Sequence, residues 1–152
     1  MQAPLVTVAL QHTLHREIPL TRAMGVSVAS YDGFRLVLRA PLAANLNHQH
    51  TAFAGSLNAL ATVAGWGLLH LLVEAYGVPA QVVIQDAQVE YRRPVTGDLV
   101  AISEVPDLAA RERFCAALSR RGRGRIALES RIECAPGRIA VRFRGRYVAR
   151  AS

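Results

Sequence analysis

The run Asn45-Leu46-Asn47-His48-Gln49-His50-Thr51 gathers polar side chains ahead of a long apolar segment. An Asn amide donates to a carbonyl or carboxylate and does not titrate, so Asn47 is a candidate donor to a reacting group. Asn is also a common brace of tight turns. Asn47 is open to both uses, and Asn45 leans to the brace. His48 is a candidate general base, set against the plainer reading of an exposed loop histidine. His48 and His50 stand at i, i+2 with no nearby cysteine or carboxylate, which is not zinc spacing, so no metal is expected.

A second chemical feature is charge. The 152 residues carry a formal charge of +7, and all 18 basic residues are arginine. From Arg111 to Arg150 there are 12 Arg against Glu112, Glu129 and Glu133, which leaves the rest of the chain slightly acidic. A basic end on a near-neutral body implies an anionic partner: nucleic acid, a phosphorylated cofactor or an acidic protein. No aromatic residues interleave Arg120-Arg121-Gly122-Arg123-Gly124-Arg125, which argues against nucleic acid. The competing reading is a solvated basic face.

The elements that must position these groups follow from periodicity. Leu5–Glu17 reads as a short amphipathic helix closed by Pro19. Met24–Tyr31 and Phe34–Leu38 read as a hairpin about Asp32-Gly33. Ser56–Tyr76 reads as a helix apolar all round, with Ser56 as N-cap, Gly77 past its end and Pro79 as a stop. Gln81–Tyr91 and Leu99–Val105 read as strands, and Asp107–Arg121 as a helix capped by Asp107 and stopped by Gly122. The last two strands turn at Pro136-Gly137, with Glu133 expected opposite Arg138 and Glu129 opposite Arg142.

Composition sets bounds on these readings. With 51% hydrophobic and 19% charged residues, disordered and collagen-like classes are excluded, and residues 1–152 read as one domain. Leu57–Val73 approaches membrane-spanning length, but its polar residues and bare flanks favour a buried core helix. Two unclustered cysteines and a first ten residues without a positive n-region suggest a reduced, cytoplasmic protein. One helix with about six strands implies an α+β fold with an antiparallel sheet curved around that helix. One sheet covers such a helix only in part, so a homodimer or dimer of dimers is expected to complete the burial.

Several motifs carry a more specific resemblance. Ile18-Pro19-Leu20-Thr21-Arg22-Ala23-Met24-Gly25, Ala40-Pro41-Leu42, Asn45-Leu46-Asn47-His48, Thr51-Ala52-Phe53-Ala54-Gly55-Ser56-Leu57, Ala64-Gly65-Trp66-Gly67 and Tyr91-Arg92-Arg93-Pro94-Val95 resemble the YiiD C-terminal domain family. The similarity runs from about Gln11 to Tyr147 and implies the hotdog fold. It also implies chemistry on acyl thioesters of coenzyme A or acyl carrier protein, with no separate cofactor. The family is described as thioesterases and also includes malonyl-acyl carrier protein decarboxylases that supply acetyl primers.

The resemblance places the thioester carbonyl at the N-terminus of the central helix, against Ala54, Gly55 and Ser56. Unpaired N–H groups and the positive helix end would stabilise an oxyanion there. Gly55 would admit a ligand close to the backbone, or merely ease packing. Many hotdog thioesterases carry an acid about two turns into this helix; here Thr62 stands in that region, and Phe53 replaces the usual His. The other acids open to a base role are Asp86 and Glu90, sharing a strand face with Gln88, and Glu74. Loss of carbon dioxide from a malonyl thioester needs no base, so the missing acid moves weight toward decarboxylation. Hydrolysis stays narrowly first, decarboxylation second, and a non-catalytic thioester-binding module third. In this frame Arg121, Arg123 and Arg125 are expected to receive the carrier or the coenzyme phosphates.

Overall fold

Pro19 both ends one helix and begins another. The computed structural model describes residues 3–152, so Met1 and Gln2 of the expected domain lie outside the described residues. Helix α1 spans Ala3–Glu17, and α2, Pro19–Ala23, follows at once because the fixed φ of proline suits a first helical turn. The strand expected from Met24 therefore starts later. Val26 N–H still bonds back to Thr21 O at 2.9 Å, and β1 spans Ser27–Tyr31. Strand β2 is Arg35–Ala40, entered through a turn in which Asp32 Oδ1 accepts from the N–H of Phe34 and of Arg35.

The central helix α3 runs Ala54–Tyr76, three residues earlier than Ser56 capping would give. Phe53 is the N-cap, its carbonyl accepting Leu57 N–H at 3.0 Å, so Ser56 lies inside the first turn. Gly77 ends the helix at φ +79°, a left-handed conformation that glycine adopts at little cost. Strands β3 (Ala80–Tyr91) and β4 (Leu99–Glu104) precede α4 (Leu108–Arg121), where the Asp107 carboxylate accepts Ala110 N–H as expected. Strands β5 (Arg123–Ala135) and β6 (Arg138–Ala151) complete one antiparallel sheet, ordered β1-β2-β4-β5-β6-β3.

The register of the last hairpin corrects the sequence expectation. The two-residue turn Pro136-Gly137 sets Ala135 opposite Arg138, which puts Glu129 opposite Arg144, while a local irregularity on either side of Glu133 sets that residue opposite Ile139. Glu133 instead pairs with Arg131, whose guanidinium also reaches Glu104.

Inner-face residues Ile126, Leu128, Ile132, Val141, Phe143 and Tyr147 are buried beneath α3. Helix and sheet come closest at Gly65, where a Cβ would overlap the Tyr147 hydroxyl. Helix α1 adds Leu10 and Leu14 to the same core. Helix α3 is long and apolar enough to cross a membrane, but 67% of its most apolar stretch is buried in this fold.

Sheet and α1 together leave open a stripe that is more polar than expected: Asn58, Thr62, Trp66 and His70. Trp66 donates to Val82 O at 2.9 Å and stacks on His70. β3 is a long edge strand, and among the described residues no strand pairs with its outer edge.

Candidate functional site

Two tethers fix the start of α3. Asn45 O accepts Phe53 N–H at 2.8 Å, and Val95 O accepts Ala52 N–H at 2.8 Å. The next three N–H groups, of Ala54, Gly55 and Ser56, have no acceptor among the described residues, as expected for a helix start. Ala54 and Gly55 are exposed and Ser56 is half-buried. Such donors, together with the positive helix end, are groups able to stabilise negative charge on a bound oxygen. The Phe53 ring lies against Gly55 so closely that a Cβ would collide with it, and the ring is itself 52% exposed.

Both asparagines are spent on the loop. Asn45 is buried, and its amide donates to Met24 O at 2.9 Å and Pro41 O at 2.8 Å. Its Oδ1 is buried and has no partner among the described residues. Asn47 donates to Thr51 Oγ1 at 2.7 Å and Ala52 O at 3.4 Å, while its Oδ1 accepts from the N–H of Gln49 and of Thr51. Of its two expected uses, the structure therefore gives Asn47 the brace.

The remaining expected residues are scattered. His48 and His50 are exposed, and His50 takes φ +62° in the turn. Thr62 donates to Asn58 O at 2.9 Å and lies about 9 Å along the helix axis from Ser56. The three expected carboxylates are each taken up in a side-chain pair. Asp86 is paired with Arg146, whose guanidinium holds its carboxyl below the usual range. Glu90 pairs with Arg92 at 2.9 Å, and Glu74 meets His70 at 3.2 Å near the other end of α3. Among the described residues no three His, Cys, Asp or Glu side chains cluster as a metal site.

Tyr91 joins the site without having been singled out. Its hydroxyl donates to Ala54 O at 3.4 Å, and it is 49% exposed. Its place in Tyr91-Arg92-Arg93-Pro94-Val95, the segment tied to Ala52, was the available signal.

Arg121, Arg123 and Arg125 lie elsewhere. Tyr91, Val141, Ile132 and Ala101 form one row across the sheet beside the helix start. Arg125 precedes Ile132 by seven residues on β5, roughly 23 Å along the strand. The three arginines line a groove of about 860 Å³ with Arg113 and Arg144.

Comparison with known proteins bears on this geometry. A protein of unknown function from Chlorobaculum tepidum is 32% identical at a TM-score of 0.91, covering 97% of this chain and 95% of that one. A "putative thioesterase" from Shewanella oneidensis is 31% identical at a TM-score of 0.86, covering 96% and 98%. The E. coli PaaI protein shares the fold at 18% identity and a TM-score of 0.65, covering 97% and 94%. The architecture is thus the hotdog fold that the motifs implied. A family model described as "Putative thioesterase (yiiD_Cterm)" matches residues 7–151, and the chain belongs to that YiiD C-terminal domain family.

Proposed function

We propose that this chain processes acyl thioesters at the N-terminus of α3, with hydrolysis of an acyl-coenzyme A or acyl-carrier thioester as the first reading. The observation that carries it is the row of unpaired N–H groups at Ala54, Gly55 and Ser56 in a chain of this family. The thioester oxygen accepts from these donors as charge develops on it. Tyr91, bonded to Ala54 O beside these donors, orients the substrate there, which enters past the exposed Phe53 ring. Water attacks the carbonyl carbon, the tetrahedral intermediate collapses, and the thiol leaves with a proton.

One observation favours a second reading. Asp86, Glu90 and Glu74 are all engaged in side-chain pairs, which leaves hydrolysis without a free carboxylate base among these candidates. Decarboxylation of a malonyl thioester needs none. The C–C bond breaks, carbon dioxide leaves, and the electron pair becomes an enolate whose oxygen rests on the same N–H groups. Protonation at carbon by water then gives the acetyl thioester. A non-catalytic thioester binder is the third possibility.

We further place the protein in the cytoplasm as a homodimer or a dimer of dimers. The open edge of β3, with Val83 59% exposed, supports assembly through a second copy. The deciding experiment incubates the protein with malonyl-carrier protein and with acyl-coenzyme A, scoring carbon dioxide and free thiol separately. Thiol alone supports hydrolysis and carbon dioxide alone supports decarboxylation. Neither product, with the ligand bound, supports the binder.

A further inference from the structure

α4 does more than link two strands. β4 pairs with β5 only over residues 129–132, and α4 packs beside the earlier part of β5. Phe114, Cys115 and Leu118 of α4 are buried in the core. Its next face, Ala110, Arg113, Ala117 and Arg121, recurs at helical spacing and forms one wall of the groove. The groove therefore runs the length of this 14-residue helix, roughly 21 Å. Arg123 and Arg125 of β5 and Arg144 of β6 stand on the opposite wall.

Five arginines thus surround a partly apolar trough. All five are exposed, and none makes an ion pair or side-chain hydrogen bond among the described residues. The one acid lining the trough, Asp107, is spent on capping α4.

We infer that this groove seats an acidic amphipathic helix of the protein that delivers the acyl group, and that free coenzyme A is not its occupant. The inference rests on the acyl-thioester reading above and names the partner for it. A trough about four turns long, apolar along its floor and arginine-rich on both walls, matches a helix with an apolar face flanked by Asp and Glu. Its distance from the helix start of the same chain counts against a small coenzyme. Phosphates anchored at Arg125 would leave the pantetheine arm roughly 23 Å of strand to span before the thioester drew level with the helix start. A folded carrier covers more surface than the groove and can begin its arm nearer the site.

The test measures binding of labelled holo-acyl carrier protein by fluorescence anisotropy at low and moderate salt. It compares the wild-type protein, Arg113→Glu/Arg125→Glu, and the charge-matched Arg22→Glu/Arg138→Glu, whose positions lie outside the groove. The groove variant is expected to bind at least about 30-fold more weakly at low salt, the matched control within about 3-fold, and salt to narrow the gap. Millimolar coenzyme A should not displace the carrier. Equal losses in both variants, displacement by coenzyme A, preferred binding of a DNA oligonucleotide, or no carrier binding by wild type would each overturn the inference. Wild-type turnover of a small acyl-N-acetylcysteamine thioester, measured alongside, separates the two proposals. Turnover without carrier binding sinks the docking surface alone, and arginine-dependent binding without turnover of any thioester sinks the chemistry alone.

Discussion

Asn47→Ala is expected to weaken the fold more than the chemistry. Four hydrogen bonds converge on this side chain: two donated, to Thr51 and Ala52, and two accepted, from Gln49 and Thr51. Each neutral bond contributes about 0.5–1.5 kcal/mol net, but the side chain is only half-buried and water takes over part of the loss. A total cost of about 1–3 kcal/mol follows, which for a domain of this size is a drop of about 3–9 °C in Tm. Turnover on the folded fraction should fall less than about tenfold, against the hundredfold or more typical of a lost oxyanion donor. Both quantities are measured on one preparation, by thermal unfolding and by release of thiol or carbon dioxide. A variant that melts with the wild type yet turns over a hundredfold more slowly would refute the reasoning and put the Asn47 amide on the substrate. Asn45→Ala serves as the comparison and should melt earlier still, because it strips two carbonyls of a buried donor.

Three further outcomes follow from the same contacts. Tyr91→Phe should slow turnover about 3- to 10-fold, the worth of one neutral hydrogen bond, with unchanged melting; an unaffected rate would remove Tyr91 from the site. Gly65→Ala should cost about 1–3 kcal/mol in urea unfolding, because the new methyl meets the Tyr147 hydroxyl, and Tyr147→Phe in that background should recover part of the loss. The Glu133 carboxyl is held below its ordinary 4.5 by Gly137 N–H and then by Arg131. The stability it contributes is therefore present above pH 4.5 and lost as the pH falls through the lower folded value. The Tm gap between wild type and Glu133→Gln should narrow progressively as the pH is lowered below 4.5, and a gap independent of pH would rule this account out.

Much of the architecture was legible because its signals are local. Gly77, Asp107 and Gly122 mark helix ends by chemistry that operates within a few residues, and each lies where the sequence placed it. The start of α3 was less legible. Ser56 has the better side chain for a cap, yet the tethers from Asn45 and Val95 fix the backbone ahead of it. The hairpin register was not legible: Glu129 lies two residues from its expected partner and Glu133 one, because the turn closes on Pro136-Gly137 alone and the pairing shifts beside Glu133. At the site, the types of Asn45 and Asn47 were readable, but their partners depend on where Met24, Pro41 and Thr51 come to rest. The groove arginines were half legible: Arg121, Arg123 and Arg125 form a run, while Arg113 and Arg144 join them only through the packing of α4 on β5.

The pairing of β3 with β6 has a consequence for synthesis. The two strands are paired, with one irregularity at Gln85, from Ala80 opposite Ala151 to Tyr91 opposite Val141. Partners are thus about fifty to seventy residues apart in the chain, a separation that slows folding. A growing chain presents α3 and β3 long before β6 exists to receive them. During that interval Val82, Ile84 and Val89, which later face inward, have no sheet to join. An unpaired strand beside an apolar helix is the kind of intermediate that holding chaperones bind and that aggregates when they are scarce. Expression yield should therefore respond to temperature and chaperone supply more steeply than the stability of the finished fold would suggest.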